Sequence, residues 1–162
     1  MNTLYVMVGI PGSGKSTEAR KIQMADPLHT AYISRDVIRL AVLGENDPLF
    51  SREDEVYELF CDEVAMFLDK ENTNVIADAT HMSHGARAKL FNALAYRGMT
   101  KDKYQIVFVY MDVPIEECIR RDDLREGRAH VTAPVIRRMN RSLSLPTMDE
   151  FPNVKEVRII HE

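Results

Sequence analysis

Gly9-Ile10-Pro11-Gly12-Ser13-Gly14-Lys15-Ser16 follows the apolar run Leu4-Tyr5-Val6-Met7-Val8 and precedes a helix-forming stretch from Thr17 to Met24. It satisfies G-x-x-x-x-G-K-[ST] at every fixed position, in the strand, loop, helix order that gives the pattern meaning. Gly9, Gly12 and Gly14 are expected to take positive φ and turn backbone N–H groups inward. That builds an anion nest at a helix N-terminus, whose partial positive charge adds to the attraction. Lys15 then reaches the β and γ phosphates of a nucleotide, and the Ser16 hydroxyl is placed to ligate Mg²⁺. Gly12, Ser13, Gly14, Lys15, Ser16 and Thr17 are therefore the expected nucleotide contacts, with ATP and Mg²⁺ as ligands. The plain alternative is a glycine-rich turn with no ligand, which this context and spacing disfavour.

Around that loop, 162 residues suffice for one well-cored domain and are too few for two ordinary ones. No apolar run approaches the ~20 residues of a membrane helix. Met1-Asn2-Thr3 lacks the basic segment of a signal peptide, so a cytoplasmic protein with no membrane partner is expected. Cys61 and Cys118 lack C-x-x-C spacing and read as two reduced, buried thiols. The net charge of −4 conceals an uneven distribution. Ten acidic residues between Gly44 and Glu71 face only Arg52 and Lys70, whereas seven arginines lie between Ile119 and Arg141. The acidic balance argues against coating long nucleic acid by counterion release alone, and it allows local phosphate contacts.

Working along the chain, Thr30 to Ile33 reads as a second strand, followed by a helix from Arg35 to Leu43 with Ser34 as N-cap and Gly44 as its stop. Val56, Leu59, Phe60, Val64, Phe67 and Leu68 have helical spacing, leaving Glu53, Glu58, Asp62 and Asp69 on wetter faces. Val75 to Ala77 enters a third strand ending at Asp78, and a helix covers about Ser83 to Tyr96. Tyr104 to Met111 is a near-continuous β-branched and aromatic run, as in a strand buried on both faces. A helix through Arg121, an interruption at Arg125 to Arg128, a helix from Thr132 to Leu143 and a last strand from Val154 to Ile160 complete the pattern. The expected fold is α/β, one domain over residues 1–162. It is a five-stranded parallel sheet with helices on both faces, of P-loop NTPase or kinase type, with an Arg-rich lid at about 120–132. Ligands in such sheets bind beyond the strands' carboxyl ends, so the glycine loop, Arg35-Asp36, Asp78 to Thr80 and Asp112 should share one cleft.

Asp36 and Arg39 are three residues apart on one helix face, where a carboxylate can orient an attacking hydroxyl and a guanidinium can hold an acceptor phosphate. A helix-start acid beside an ordinary surface arginine explains the same spacing. Asp78 and Asp112 both end apolar strands, and either suits the acid that binds Mg²⁺. His81 and His84 have no zinc-site spacing. Arg121, Arg125 and Arg128 can face one side and close over phosphoryl oxygens, or they can lace a surface helix with Asp122, Asp123 and Glu126.

Taken together, the loop with Thr17, Ile33-Ser34-Arg35-Asp36 with Arg39, Val75-Ile76-Ala77-Asp78, and Asp112-Val113-Pro114 leading to Arg121 and Arg125 resemble the kinase domain of phage-type polynucleotide 5′-hydroxyl kinases. The similarity runs through about Leu143. It implies ATP-dependent transfer of the γ-phosphate to the 5′-hydroxyl end of RNA or DNA. Asp36 would face that hydroxyl, with Arg35 and Arg39 on the acceptor side and Arg39 on its neighbouring phosphate. Asp78 would organise the site by holding Arg39 or by serving Mg²⁺ with Ser16, and Lys15, Arg121 and Arg125 would act on the donor phosphates. The D-x-D-x-[TV] motif of the phosphatase domain fused to well-known members is absent. The competing reading keeps the reaction and takes a small-molecule acceptor: a nucleoside, sugar, antibiotic or nucleotide-sugar. A non-kinase NTPase switch is disfavoured by the lack of N-K-x-D and D-x-x-G elements.

Overall fold

Alternation with a period of two decides which side chain enters which core. A computed structural model describes residues 1–161 of the chain. Its strands are β1 (Asn2–Val8), β2 (Thr30–Ser34), β3 (Asn74–Asp78), β4 (Tyr104–Asp112) and β5 (Val154–His161). They form one sheet of order β2-β3-β1-β4-β5, and every pairing is parallel. Leu4, Val6 and Val8 of β1, Val75 and Ala77 of β3, and Ile106 and Phe108 of β4 point into the larger core. The intervening residues Met7, Ile76, Val107, Val109 and Met111 enter a smaller one on the other face. Such burial on both faces is why the central strands read as unbroken apolar runs.

The helices are α1 (Lys15–Ala25), α2 (Arg35–Val42), α3 (Glu53–Leu68), α4 (His84–Tyr96), α5 (Ile115–Asp123) and α6 (Ala133–Arg141). From α3, Val56, Phe60, Val64 and Leu68 fill the larger core with Leu90 and Leu94 of α4, while Ala19 and Ile22 of α1 pack on the opposite face. No described helix is long and apolar enough to cross a membrane. Both cysteines are buried, and neither is in a disulfide.

Helix α2 stops one residue before the expected Leu43, and Gly44 is not its cap. Leu43 is extended, and the Gly44 N–H donates to Asp47 Oδ2 at 2.7 Å. A third cluster joins Ile10 of the glycine loop to Met82, Cys118, Ile119 and Ile136, tying α5 and α6 to the strand ends. Asp122, a surface partner for arginines in the alternative to the arginine lid, is fully buried. Its two oxygens accept the N–H groups of Val131 and Thr132, each at 2.8 Å, and so pin the loop between α5 and α6.

Arg87 is also fully buried, held by Glu150 at 2.8 Å, the His81 carbonyl at 2.8 Å and the Ser144 carbonyl at 2.9 Å. It joins α4, the turn after β3 and the segment leading to β5 through charge-assisted bonds. Truncating it strands the buried Glu150 carboxylate. Arg87→Ala is therefore expected to lower the unfolding free energy by about 3–5 kcal/mol, read from urea denaturation.

Candidate active site

The glycine loop takes its shape from two glycines with positive φ and one that yields space. Gly12 and Gly14 have φ of 83° and 88°. Gly9, expected to join them, does not take positive φ. A Cβ there would lie 2.6 Å from Ser13 Oγ and 3.2 Å from Met111 Cβ, so the need is for close approach. A Cβ on Gly12 would stand 2.4 Å from the Cys118 carbonyl oxygen, which shows how tightly the loop abuts α5. Gly14 caps α1 without any side-chain bond to the first-turn N–H groups. Ser13 Oγ is buried with no partner among the described residues. An uncapped helix start behind such a nest fits the phosphates of a nucleotide.

Behind the loop, Ser16 Oγ donates to Asp78 Oδ2 at 2.9 Å, and the Tyr32 hydroxyl donates to the same oxygen at 2.5 Å. Burial, then the Asp78 carboxylate, push the Tyr32 phenol up to about 12. Ser16 and Asp78 thus stand together as a donor set suited to Mg²⁺. Asp112 does not join them: its Oδ2 meets His161 Nδ1 at 3.0 Å, at the β4–β5 edge.

At the neighbouring strand end, Ser34 Oγ accepts the Val37 N–H at 3.2 Å and starts α2 at the end of β2. Arg39 is 8% exposed and grips Glu53 with two parallel bonds, Nε to Oε2 at 2.8 Å and Nη2 to Oε1 at 2.6 Å. It also bonds Asp36, whose side chain remains 81% exposed. Arg35 reaches Glu53 at 3.3 Å and lies 4.9 Å over the Tyr57 ring. Glu53, not Asp78, is therefore the acid that holds Arg39. Sequence reading left Glu53 on a wet face because its partner lies on another helix. The only available signal was a carboxylate at the first position of α3, where the helix dipole also favours it.

The arginines grouped by spacing divide three tasks. Arg121 Nη1 donates to the Gly12 carbonyl at 3.1 Å, and its Nε reaches Glu117 Oε1 at 3.1 Å. Arg125 lines the cleft. Arg128 Nη2 donates to the carbonyls of Gly44, Glu45 and Asp47 at 2.5, 2.7 and 3.2 Å, strapping the α5–α6 loop to the end of α2.

Between these parts lies a cavity of about 440 Å³, within the range of small-ligand pockets. Its charged lining residues are Lys15, Arg35, Asp36, Arg39, Glu53, Arg125, Arg128 and Arg138, and Leu40, Leu49, Phe50, Val131 and Met139 supply apolar surface among them. Among the described lining residues, Thr80 is the one neutral polar side chain. Thr17 follows Ser16 on the exposed first turn of α1 and is not part of this lining.

Residues 4–146 match the AAA_33 family, an AAA domain. The chain belongs to that family. Among solved structures, this AAA_33 protein is similar to a chain of the Pnkp1/Rnl/Hen1 RNA repair complex, with 29% identity and a TM-score of 0.64 over 88% of this chain and 44% of that one. A second structure of the Pnkp1/Rnl/Hen1 complex, at 28% identity and a TM-score of 0.60, is matched over 78% of this chain and 40% of its own. The AAA_33 chain thus spans less than half of both. It also shares its fold with a sugar kinase from Janibacter sp. HTCC2649, with 19% identity and a TM-score of 0.62 over 99% of this chain and 85% of that one. Kti12 from Chaetomium thermophilum, solved with ADP-AlF3, matches at 18% identity and a TM-score of 0.67 over 98% and 88% of the two chains. Sequence comparison with curated proteins returns no significant match. The fold is that of the P-loop kinases, with a nucleotide-binding loop and a kinase-type arrangement of strands.

His81 follows the strand that ends in Asp78 and sits behind the cleft with a φ of 45°. Its Nδ1–H donates to the Met7 carbonyl at 2.9 Å. Burial pushes its pKa from 6.5 down to about 4, a shift opposed by that bond and reinforced by the charges of Arg35, Lys15 and Arg87. The unfolded chain therefore binds the proton more readily than the native one. His81's contribution to stability is complete above pH 6.5 and is lost as pH falls toward 4. Unfolding free energies measured across that window should fall by up to roughly 3 kcal/mol. His81→Asn, which tolerates positive φ, should flatten the dependence.

Proposed function

We propose that this AAA_33 protein transfers the γ-phosphate of ATP to the 5′-hydroxyl end of a nucleic acid, RNA or DNA, taking the terminal nucleotide into the Arg39 cavity. The observation that carries the reading is the composition of that cavity. Aliphatic and aromatic side chains suited to a base and ribose are set beside guanidiniums suited to phosphate, as where Arg39 lies 5.1 Å over the Phe50 ring, and the exposed Asp36 carboxylate is among them. An unphosphorylated sugar carries neither a base nor a phosphate, so it has less to offer the aliphatic and aromatic side chains and the arginines of this lining than a nucleotide has. Similarity to a chain of an RNA repair complex supports the same choice.

In this mechanism the uncapped start of α1 and Lys15 hold the β and γ phosphates. A Mg²⁺ ion held by Ser16 and Asp78 would neutralise charge on them. Asp36 accepts a hydrogen bond from the 5′-hydroxyl, aims its oxygen at the γ-phosphorus, and takes its proton late in a loose transition state. A new P–O bond forms as the bridge to the β-phosphate breaks and ADP leaves. Arg39, fixed by Glu53, receives the acceptor's neighbouring phosphate. The α5–α6 segment acts as a lid. Arg121 braces the glycine loop through the Gly12 carbonyl, Arg125 meets the transferring phosphoryl group, and Arg128 fastens the lid to α2.

One observation favours a small-molecule acceptor instead: Arg128, which lines the cavity, ties the α5–α6 loop to the α2–α3 loop, a bridge that narrows the room for a long ligand. Transfer of label from [γ-³²P]ATP separates the readings, using a 5′-hydroxyl oligonucleotide, a nucleoside 3′-monophosphate and a hexose as acceptors. Label is expected on the first two. Labelled hexose with unlabelled oligonucleotide would overturn the assignment, and hydrolysis without transfer to any acceptor would point to a switch. Lys15→Ala, Asp36→Asn and Arg125→Ala should each lower turnover at least about 100-fold. Glu53→Gln should raise the KM for acceptor while leaving that for ATP near wild type.

A further inference from the structure

The cavity holds one nucleotide, so a polymer must leave it across a rim, and its two rims differ in charge. On one side the α2–α3 loop and the first turn of α3 carry Glu45, Asp47, Asp54 and Glu55 against two cations, their own Arg52 and Arg128 from the α5–α6 loop, the latter held by the carbonyls of Gly44, Glu45 and Asp47. Arg52 is already engaged by Glu55 at 2.5 Å and Asp47 at 3.9 Å. A chain of phosphates is repelled there. On the other side stands α6. Arg138 lines the mouth of the cavity, and Arg141, three residues on, lies on nearly the same helix face. Both are exposed, and neither forms an ion pair among the described residues. Arg137, turned to the adjoining face, is occupied by Glu116 at 2.9 Å. Ile136 is buried and fixes the rotation of the helix, so the arginine face keeps its outward direction.

We propose that the Arg138–Arg141 face of α6 is the exit track of the acceptor strand, receiving the phosphates 3′ of the terminal nucleotide. The proposal rests on the polynucleotide reading above and adds where the polymer lies. The charge asymmetry also gives the acidic α2–α3 loop a task, because it closes the alternative route. Such contacts are backbone contacts, so the track is indifferent to sequence and sensitive to salt.

Arg141 touches neither the glycine loop nor the cavity, and its replacement leaves the chemistry in place. The decisive experiment measures KM and kcat for Arg141→Ala with two acceptors, a nucleoside 3′-monophosphate and a ten-nucleotide 5′-hydroxyl strand, at several salt concentrations. For the longer strand KM should rise about threefold to tenfold at low salt with kcat unchanged, and the salt slope should shrink by about 0.7. For the monophosphate both constants should match wild type, and Arg141→Lys should restore most of the oligonucleotide KM. Equal effects on both acceptors, or no effect on either, would overturn the track while leaving the kinase assignment standing. Failure of the wild-type protein to label either acceptor would overturn the polynucleotide reading and the track with it.

Discussion

The cleft depends on a single register: Ser34 at the end of β2 lies beside Asp78 at the end of β3. In a parallel sheet, strands in register stop together, and the segments after them all emerge at one edge. That places the start of α2, with Arg35, Asp36 and Arg39, next to the Asp78 carboxylate and across from the glycine loop. The Gly9 N–H donating to the Thr80 carbonyl at 3.0 Å ties the third strand end into the same edge. A slip of one residue would turn Asp78 to the other face of the sheet, away from Ser16, and bring an apolar neighbour to the same point.

Around that edge, charged side chains are held by ion pairs and by backbone N–H and carbonyl groups of other segments. Glu53 clamps Arg39 from α3, Asp122 pins the loop before α6, and Arg87 joins α4 to the approach to β5. Each is buried or half-buried, so its bonds act in a low dielectric and its loss leaves an uncompensated group. The α5–α6 segment meets the rest of the site through a small apolar cluster, the Arg121 bond to the Gly12 carbonyl and the Arg128 strap.

Reading the chain alone reached far where function is local. The loop from Gly9 to Ser16, the parallel five-stranded sheet and the pairing of Asp36 with Arg39 all follow from residues within one turn or one alternation of each other. It failed where partners are remote. Asp78 and Asp112 have the same local signature, and they separate only because one ends a central strand beside Ser16 and the other ends a strand beside His161. Arg121, Arg125 and Arg128 share a spacing, yet α5 ends at Asp123 between the first two and the chain bends at Gly127, with φ of 59°, before the third, so each reaches a different target.

The amino-acid order itself determined the elements, their alternation and the glycine loop, because backbone propensity, periodicity and nest geometry act over a few residues. Tertiary structure alone decided that Glu53 holds Arg39, that Gly9 is needed for space and not for φ, and that the arginines divide between loop, cavity and strap. Those outcomes turn on distances between segments far apart in the chain, which are set by sheet register and core packing and leave no trace in local spacing.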